Sequence, residues 1–288
     1  MKDDLEGLAK KLEIIPEEAL MKLKENYDGY HFTSPSPDIY NPFSLLNAFA
    51  DGKFGSYWFG SGTPTYLIKM LNKFGVKPSE IGCKQLKSSV FDAPTETMTD
   101  AVPLLYQSGY ITIKDYNKML DLYTLDIPNK EVRLGLMESL LPYYVNNKTP
   151  EATTMVAYLF YDIQNGDMDA ALHRLQEFLS TIPYCDNTRF EGHYQQVFYI
   201  IFSLLGYYVD VEVRTPRGRV DIVLRTKTTL YVMELKLDGS ADEALRQIEE
   251  KGYALPFAKD SRKLYKIGVN FSSEIRGIVE WKIVEDNS

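Results

Sequence analysis

The strongest constraint on the fold is a regular succession of strand-like and helix-like segments after residue 189. A helical pattern over about 190–205 precedes three strand-like segments, at 207–215, 219–226 and 230–237. A helical pattern over 241–254 follows, and two further strand-like segments, 263–271 and 278–284, complete the order. Strands interleaved with helices in this way predict an α/β or α+β domain with a mixed central sheet.

The chain is long enough for two domains. It has 288 residues, and the polar segment NNKTP at 146–150 suggests a boundary between parts at 1–148 and 149–288. The net charge of −8 provides no global field for nucleic acid, so any attraction for phosphates must be local. Two distant cysteines and an N-terminus without an apolar signal core lead us to expect a cytoplasmic protein with no membrane partner. The oligomeric state is open.

The first part is predicted to be mainly helical. Two short helices are expected within 1–27, and the second should start at Pro16, because proline fits the first position of a helix. Asn41-Pro42 predicts the start of another helix. The buried side of that helix is expected to carry Phe43, Leu46 and Phe49.

Residues 98–141 predict a helix followed by a β-hairpin. The helix should close at Gly109, and strands are expected at 110–116, 118–127 and 131–137, with Pro128-Asn129 as a turn. This order is typical of a winged-helix-like module, which allows two interpretations: contact with DNA, or packing between domains. Few basic residues occur in the segment, so we favour the packing module.

The chemistry is concentrated in the hairpin formed by the second and third strands of the later part. A short loop centred between Lys227 and Thr228 pairs Asp221 with Glu234 across the two strands. Because side chains alternate along a strand, Asp221, Glu234 and Lys236 are expected on one face of the sheet. A slip of one residue would separate them, so the prediction depends on the register.

Two carboxylates that face each other in a mostly apolar sheet repel one another and lose hydration. A divalent cation compensates both effects, because Mg²⁺ is commonly held by one or two carboxylates with water and phosphate oxygens. Lys236 is placed to orient or activate a water, or to steady charge on a phosphate. The alternative is a solvated sheet face with a Glu234–Lys236 salt bridge, which is the commoner meaning of an isolated D…ExK pattern.

Two helices bring further polar residues toward this face. Glu191 lies in the first turn of the helix before the sheet, and Gln247 lies on the helix after it, with Lys251 one turn on. Both helices carry an apolar stripe and must therefore pack on the sheet. The order E…D…ExK…Q on helix, strand, strand and helix favours a metal site over the salt-bridge alternative.

Four segments, FEGHYQQVFY, RVDIVL, YVMELKL and ALRQIEEKGYA, resemble the PD-(D/E)XK nuclease superfamily. They look most like the nuclease-like domain that follows an AAA-ATPase-like domain in many bacterial proteins. The earlier motifs YDGYHF, YNPFSLLNAF and YWFGSGTPTYLI resemble the C-terminal part of that ATPase-like region. The resemblance implies a helical, winged-helix-like part over 1–148 and a restriction-endonuclease-like αβββαβ domain with a mixed central sheet over 149–288.

The resemblance also implies the roles of individual residues. The catalytic set that it implies is Asp221, Glu234, Lys236, Glu191 and Gln247. Asp221 and Glu234 would ligate Mg²⁺ or Mn²⁺, with the Leu235 carbonyl as a candidate further ligand. Lys236 would be the catalytic lysine, the first helix would supply an auxiliary acid, and the later helix a supporting polar residue.

Two features depart from the family pattern. Val220 stands where a proline usually precedes the aspartate, although many members vary there. The sequence contains no GxxxxGK[ST] phosphate-binding loop, so we expect no ATP hydrolysis from these residues. The ATPase-like domain that the resemblance implies as a partner would therefore lie upstream of this chain.

A local basic segment bears on the predicted function. Residues 214–227 contain one acid, Asp221, so the net local charge is +4. The five basic residues are Arg214, Arg217, Arg219, Arg225 and Lys227. Attraction of nucleic acid, to which Lys251 would add, and an ordinary solvated hairpin explain this charge equally well. The sequence as a whole predicts a Mg²⁺-dependent nuclease acting on DNA, with RNA as the second choice. The alternative is a non-catalytic nucleic-acid-binding or protein-interaction module that keeps the fold.

Overall fold

The computed structural model describes residues 2–60, 64–145, 149–182, 193–208, 210–214, 221–275 and 277–286. The chain forms two compact units, Met1–Ser139 and Leu140–Ser288. This division falls within a helix that continues past Ser139, whereas the sequence suggests a boundary near residue 148.

The helices of the first unit up to residue 107 are α1 (Lys2–Lys11), α2 (Pro16–Tyr27), α3 (Pro42–Asp51), α4 (Tyr57–Gly60), α5 (Thr65–Phe74), α6 (Ser88–Phe91) and α7 (Val102–Gln107). Proline at the first position of α2 confirms the predicted helix start. Gly109, with a φ of 77°, follows α7 as expected. Buried Leu8, Leu23 and Ala48 pack around Tyr27 and join the first three helices.

The start of α3 is confirmed, but its predicted buried side is wrong in two of three positions. Asn41 caps the helix, because its Oδ1 accepts hydrogen bonds from Phe43 N (3.1 Å) and Ser44 N (3.3 Å). Phe43 is 51% exposed and Leu46 is 67% exposed, whereas Phe49 is half-buried. The small side chains of Ser44 and Ala48 face the core instead, where they allow close approach to α1 and α2.

Three short strands of the first unit form an antiparallel sheet in the order β1–β3–β2 within the described residues: β1 (Lys84–Leu86), β2 (Thr112–Asn117) and β3 (Leu122–Asp126). The strand predicted at 131–137 is wrong, since these residues lie in α8 (Lys130–Val145). Asn129 is not a hairpin turn residue but starts this helix, because its Oδ1 accepts from Val132 N (3.1 Å). The winged-helix interpretation stays a prediction.

The second unit contains the end of α8 and the helices α9 (Thr149–Gln164), α10 (Met168–Thr181), α11 (His193–Leu204) and α12 (Ala241–Glu250). Gly166, with a φ of 78°, allows the turn between α9 and α10. Trp281 donates its Nε1–H to Asp169 Oδ1 (2.8 Å), which ties α10 to the last strand of the sheet.

The central sheet of this unit has five strands in the described ranges: β4 (Asp210–Arg214), β5 (Asp221–Arg225), β6 (Thr229–Leu237), β7 (Lys263–Ser272) and β8 (Gly277–Glu285). Their spatial order is their chain order, and all neighbours are antiparallel except the parallel pair β6–β7. This mixed sheet and its flanking helices confirm the predicted succession of elements.

Helices cover both faces of the sheet. Phe198 of α11 makes an edge contact with Phe271 of β7, with ring centroids 5.4 Å apart. The first turn of α12 lies on the other face, directly over Gly268 of the same strand. Among the described helices, none has the length and apolarity needed to cross a membrane.

Candidate active site

The register of the β5–β6 hairpin confirms the prediction made from its loop. The Cα partner of Asp221 is Glu234. The turn is closed by Thr226, whose backbone N–H donates to Thr229 O (2.9 Å) and whose Oγ1 accepts from Thr229 N (2.9 Å). This side-chain bond fixes the length of the loop and therefore the register of both strands.

Glu234 is a fully buried carboxylate in the middle of the sheet, with an exposed fraction of 0%. It lies between Asp221 on β5 and Gly268 on β7, which are its Cα partners. The Nζ atom of Lys236 lies 3.7 Å from Glu234 Oε1, so the acid and the lysine share one face of β6. A cation this close stabilises the charged form of a buried acid.

Gln247 reaches the same face from α12. Ser240 starts this helix with a capping box, because its Oγ accepts from Glu243 N while Glu243 Oε2 accepts from Ser240 N. Gln247 lies on the buried side of α12, and its Oε1 accepts a hydrogen bond from Lys236 Nζ. The structure therefore brings together three of the predicted side chains, from Glu234, Lys236 and Gln247.

The remaining predicted residues fall in three classes. Glu191, Arg217 and Arg219 lie outside the described residues. Asp221 and Arg214 are described by their strand positions alone. They are Cα partners in the β4–β5 pair. The last two are Leu235, which is buried, and Lys251, which is exposed just after α12.

The basic segment 214–227 is divided between the two ends of the sheet. Arg214 pairs with Asp221 at the end that carries Glu234. Arg225 and Lys227 lie at the opposite end of β5, where the Arg225 guanidinium covers the Phe257 ring at 5.4 Å. Of the described basic positions of this segment, Arg214 alone is next to the predicted site.

Two residues of β7 that sequence reasoning missed border the site. Gly268 is the Cα partner of Glu234, and Asn270 is the Cα partner of Lys236. A glycine inside a strand pattern signals close approach of another element, and Gly268 in KIGVNF carries that signal. Nothing in the local pattern marks Asn270, because its neighbours depend on a parallel pairing of strands separated by α12.

The donor atoms suit a small, hard divalent cation. Carboxylate oxygens at Glu234 and at the paired position Asp221 are the ligands that Mg²⁺ and Mn²⁺ prefer, and the backbone carbonyl of Leu235 is adjacent. The described residues contain no group of three or more His, Cys, Asp or Glu side chains that would hold a metal. Glu191 lies outside the described residues.

A comparison with protein families gives a match to part of the second unit. The model of the PD-(D/E)XK nuclease superfamily matches residues 189–281, so this segment is similar to domains of that superfamily. The matched segment runs from before α11 to the middle of β8 and contains Glu234, Lys236 and Gln247.

A second comparison finds a similar protein of greater length. It is described as an uncharacterized protein in the vnfD 5' region of Azotobacter chroococcum mcd 1, and it is 32% identical over 268 residues. The alignment covers 88% of this chain, which spans half the length of that relative. No solved structure gives a significant match.

Proposed function

We propose that the second unit is a metal-dependent nuclease that hydrolyses phosphodiester bonds in DNA, with RNA as the second choice. The observation that carries the proposal is the full burial of the Glu234 carboxylate, which a solvated sheet face with a salt bridge does not have. Lys236 Nζ lies 3.7 Å from this carboxylate, and Asp221 is its Cα partner on β5. The superfamily match over 189–281 supports the same reaction class.

The roles follow from the chemistry of the groups. Asp221 and Glu234 would hold Mg²⁺ or Mn²⁺, with the Leu235 carbonyl as a further ligand and Glu191 as an auxiliary acid. The bound cation would polarise the phosphate and lower the pKa of a water. Lys236 would orient that water or stabilise charge on the phosphate in the transition state. Hydrolysis adds the water oxygen to phosphorus, breaks one P–O ester bond and returns a proton to the leaving oxygen.

The substrate would approach along the end of the sheet that carries Glu234. Arg214 would contact the phosphates there, since it is the Cα partner of Asp221, and Arg217 and Arg219 follow it closely in the chain. Lys251 after α12 would add a further phosphate contact. Coupling to an ATPase-like domain and action in the cytoplasm are proposals that rest on the sequence alone.

The test is cleavage of supercoiled plasmid and of a single-stranded RNA with Mg²⁺ or Mn²⁺, and with a chelator as the negative control. We expect metal-dependent cleavage by the wild type and losses of about 10²–10³-fold in Asp221→Asn and Lys236→Met. Lys259→Met is the matched control, because Lys259 is an exposed lysine of the same unit outside the site. Nucleic-acid binding without metal-dependent cleavage would instead support the non-catalytic module.

A further inference from the structure

The side chain of Lys236 is held by a residue from another element, so its position depends on where that element begins. Lys236 Nζ donates to Gln247 Oε1 on α12. Only Asp238, Gly239 and Ser240 separate β6 from α12. A shift of this turn would move Gln247 relative to Lys236, and misplacement by about 1 Å can cost about 100-fold in rate.

Asn270 clamps this turn from the neighbouring strand. Its Nδ2 donates to Gly239 O (2.8 Å), and its Oδ1 accepts from Gly239 N (3.0 Å). Asn270 is 7% exposed, so both hydrogen bonds are shielded from water. One asparagine thus satisfies both backbone polar groups of the central residue of the turn.

The clamped residue lies against the stem of Lys236. A Cβ atom added to Gly239 would lie 3.3 Å from Lys236 Cβ. Asn270 is also the Cα partner of Lys236 in the parallel β6–β7 pair. The turn therefore folds back over the lysine and is fixed there from β7.

Gly268 sets the distance between α12 and the sheet at the same place. A Cβ atom at Gly268 would lie 2.2 Å from the Ala241 carbonyl oxygen and 3.1 Å from Ala244 Cβ. Contact at 2.2 Å with backbone is not tolerated, so any larger residue must push the first turn of α12 outward. Because Gly268 is the partner of Glu234, this close approach occurs beside the buried acid.

We propose that Asn270 and Gly268 are positioning residues that hold the first turn of α12 so that Gln247 engages Lys236. Neither is expected to touch the substrate or the metal. The consequence for catalysis rests on the proposed nuclease function, whereas the positioning of Gln247 does not.

The positioning is tested on ¹⁵N-labelled protein by the side-chain amide signal of Gln247, which is assigned by its loss in Gln247→Ala. Lys236→Met should shift this signal, because it removes the donor to Gln247 Oε1. We expect Asn270→Ala and Gly268→Ala to shift it as well. Asn47→Ala should not, although Asn47 also donates to a backbone oxygen, at Phe43 (2.8 Å). An unchanged Gln247 signal in Asn270→Ala would overturn the proposal.

A milder variant guards against a general loss of structure. Asn270→Asp keeps an acceptor for Gly239 N–H and loses the donor to Gly239 O, so it should shift the Gln247 signal less than Asn270→Ala. In a Trp58→Phe background, the fluorescence of Trp281, on the edge strand β8 of the same sheet, reports whether the unit remains folded. A Gln247 signal that stays at its wild-type position in folded Asn270→Asp would count against the proposal.

The catalytic consequence is tested by combining substitutions. We expect Asn270→Ala to lower the cleavage rate about 10-fold while the affinity for Mn²⁺ stays unchanged. The double variant Asn270→Ala/Gln247→Ala should be no slower than Gln247→Ala alone, because both changes act through the same contact. Losses that multiply would contradict positioning through Gln247. A wild type that does not cleave contradicts the proposed function, and the amide signal still decides the positioning.

Discussion

Two buried glutamates, one in each compact unit, show how differently a fold can accommodate the same side chain. Glu131, at the start of α8, is 3% exposed, and its Oε1 accepts a hydrogen bond from Trp58 N (2.8 Å) in the first turn of α4. Glu234 lies in the middle of a strand, with the Lys236 ammonium 3.7 Å away and Asp221 as its Cα partner. Glu131 accepts a hydrogen bond from a backbone amide, whereas Glu234 lies beside a cation and is paired with the position of a second acid.

The difference separates a structural carboxylate from a candidate catalytic one. Burial raises the pKa of Glu131, and the hydrogen bond from Trp58 only partly opposes this. The side chain joins two helices through this hydrogen bond. Around Glu234 a lysine and the position of a second acid come together in the middle of a sheet, a combination of charged groups that a structural role does not require.

The largest expected effect separates the two residues by activity. Glu234→Gln should reduce metal-dependent cleavage by about 10²–10³-fold, since a neutral amide cannot replace an anionic ligand. Glu131→Gln should cleave at the wild-type rate, because Glu131 belongs to the other unit. Initial rates on plasmid DNA at saturating Mn²⁺ make the comparison. Equal losses of cleavage rate in both variants would contradict the assignment of Glu234 as catalytic and Glu131 as structural.

The next largest effect concerns stability. Glu131→Ala should lower the free energy of unfolding by about 1–3 kcal/mol, because it deprives the half-buried Trp58 N–H of the Glu131 acceptor. The chain has two tryptophans, so urea titration in a Trp281→Phe background follows the fluorescence of Trp58 alone. Glu25→Ala, at an exposed position of the same unit, should change stability by no more than about 0.5 kcal/mol.

The raised pKa of Glu131 can be tested by measuring the free energy of unfolding as a function of pH. Because its pKa is raised in the folded protein, the folded state keeps a proton that the unfolded chain has lost at the same pH. The free energy of unfolding should therefore fall as the pH rises from the ordinary value of 4.5 through the raised pKa. Glu131→Gln should flatten this decline. The same slope in wild type and variant would show that other groups cause it.

The smallest expected effect is on the free energy of unfolding when the side-chain amide of Asn41, in the first unit, is removed. Asn41→Ala should cost about 1 kcal/mol, since it removes the cap of α3 that accepts from Phe43 N and Ser44 N. Asn41→Asp should restore most of this loss, because a carboxylate can accept the same hydrogen bonds. Urea unfolding followed by Trp58 measures both variants. A loss as large as that of Glu131→Ala would show that burial adds nothing to the value of the Trp58 bond.

The site could be predicted from sequence where it depends on short-range geometry. A short loop fixes the pairing of Asp221 with Glu234, and strand alternation places Lys236 beside the acid. Gln247 follows from the apolar side of a helix that must pack on the sheet. In each case the position of the side chain depends on a local feature of the sequence, either the length of a short loop or the periodicity of a strand or helix.

Prediction failed where the partner was distant or where packing overrode the pattern. Asn270 and Gly268 border the site through a parallel pairing that spans α12, which no loop length reveals. The alternating segment EVRLGLM resembles a strand, yet the Asn129 cap starts a helix there. On α3 the small residue Ala48 rather than Phe43 faces the core, because close helix packing needs little volume.

The most direct test of the central claim is calorimetric titration of Mn²⁺ into the wild type, Glu131→Gln and Glu234→Gln at the same neutral pH. We expect the wild type and Glu131→Gln to bind the cation alike and Glu234→Gln to bind it at least about tenfold more weakly. Wild-type affinity in Glu234→Gln would contradict the assignment of this buried carboxylate as a metal ligand.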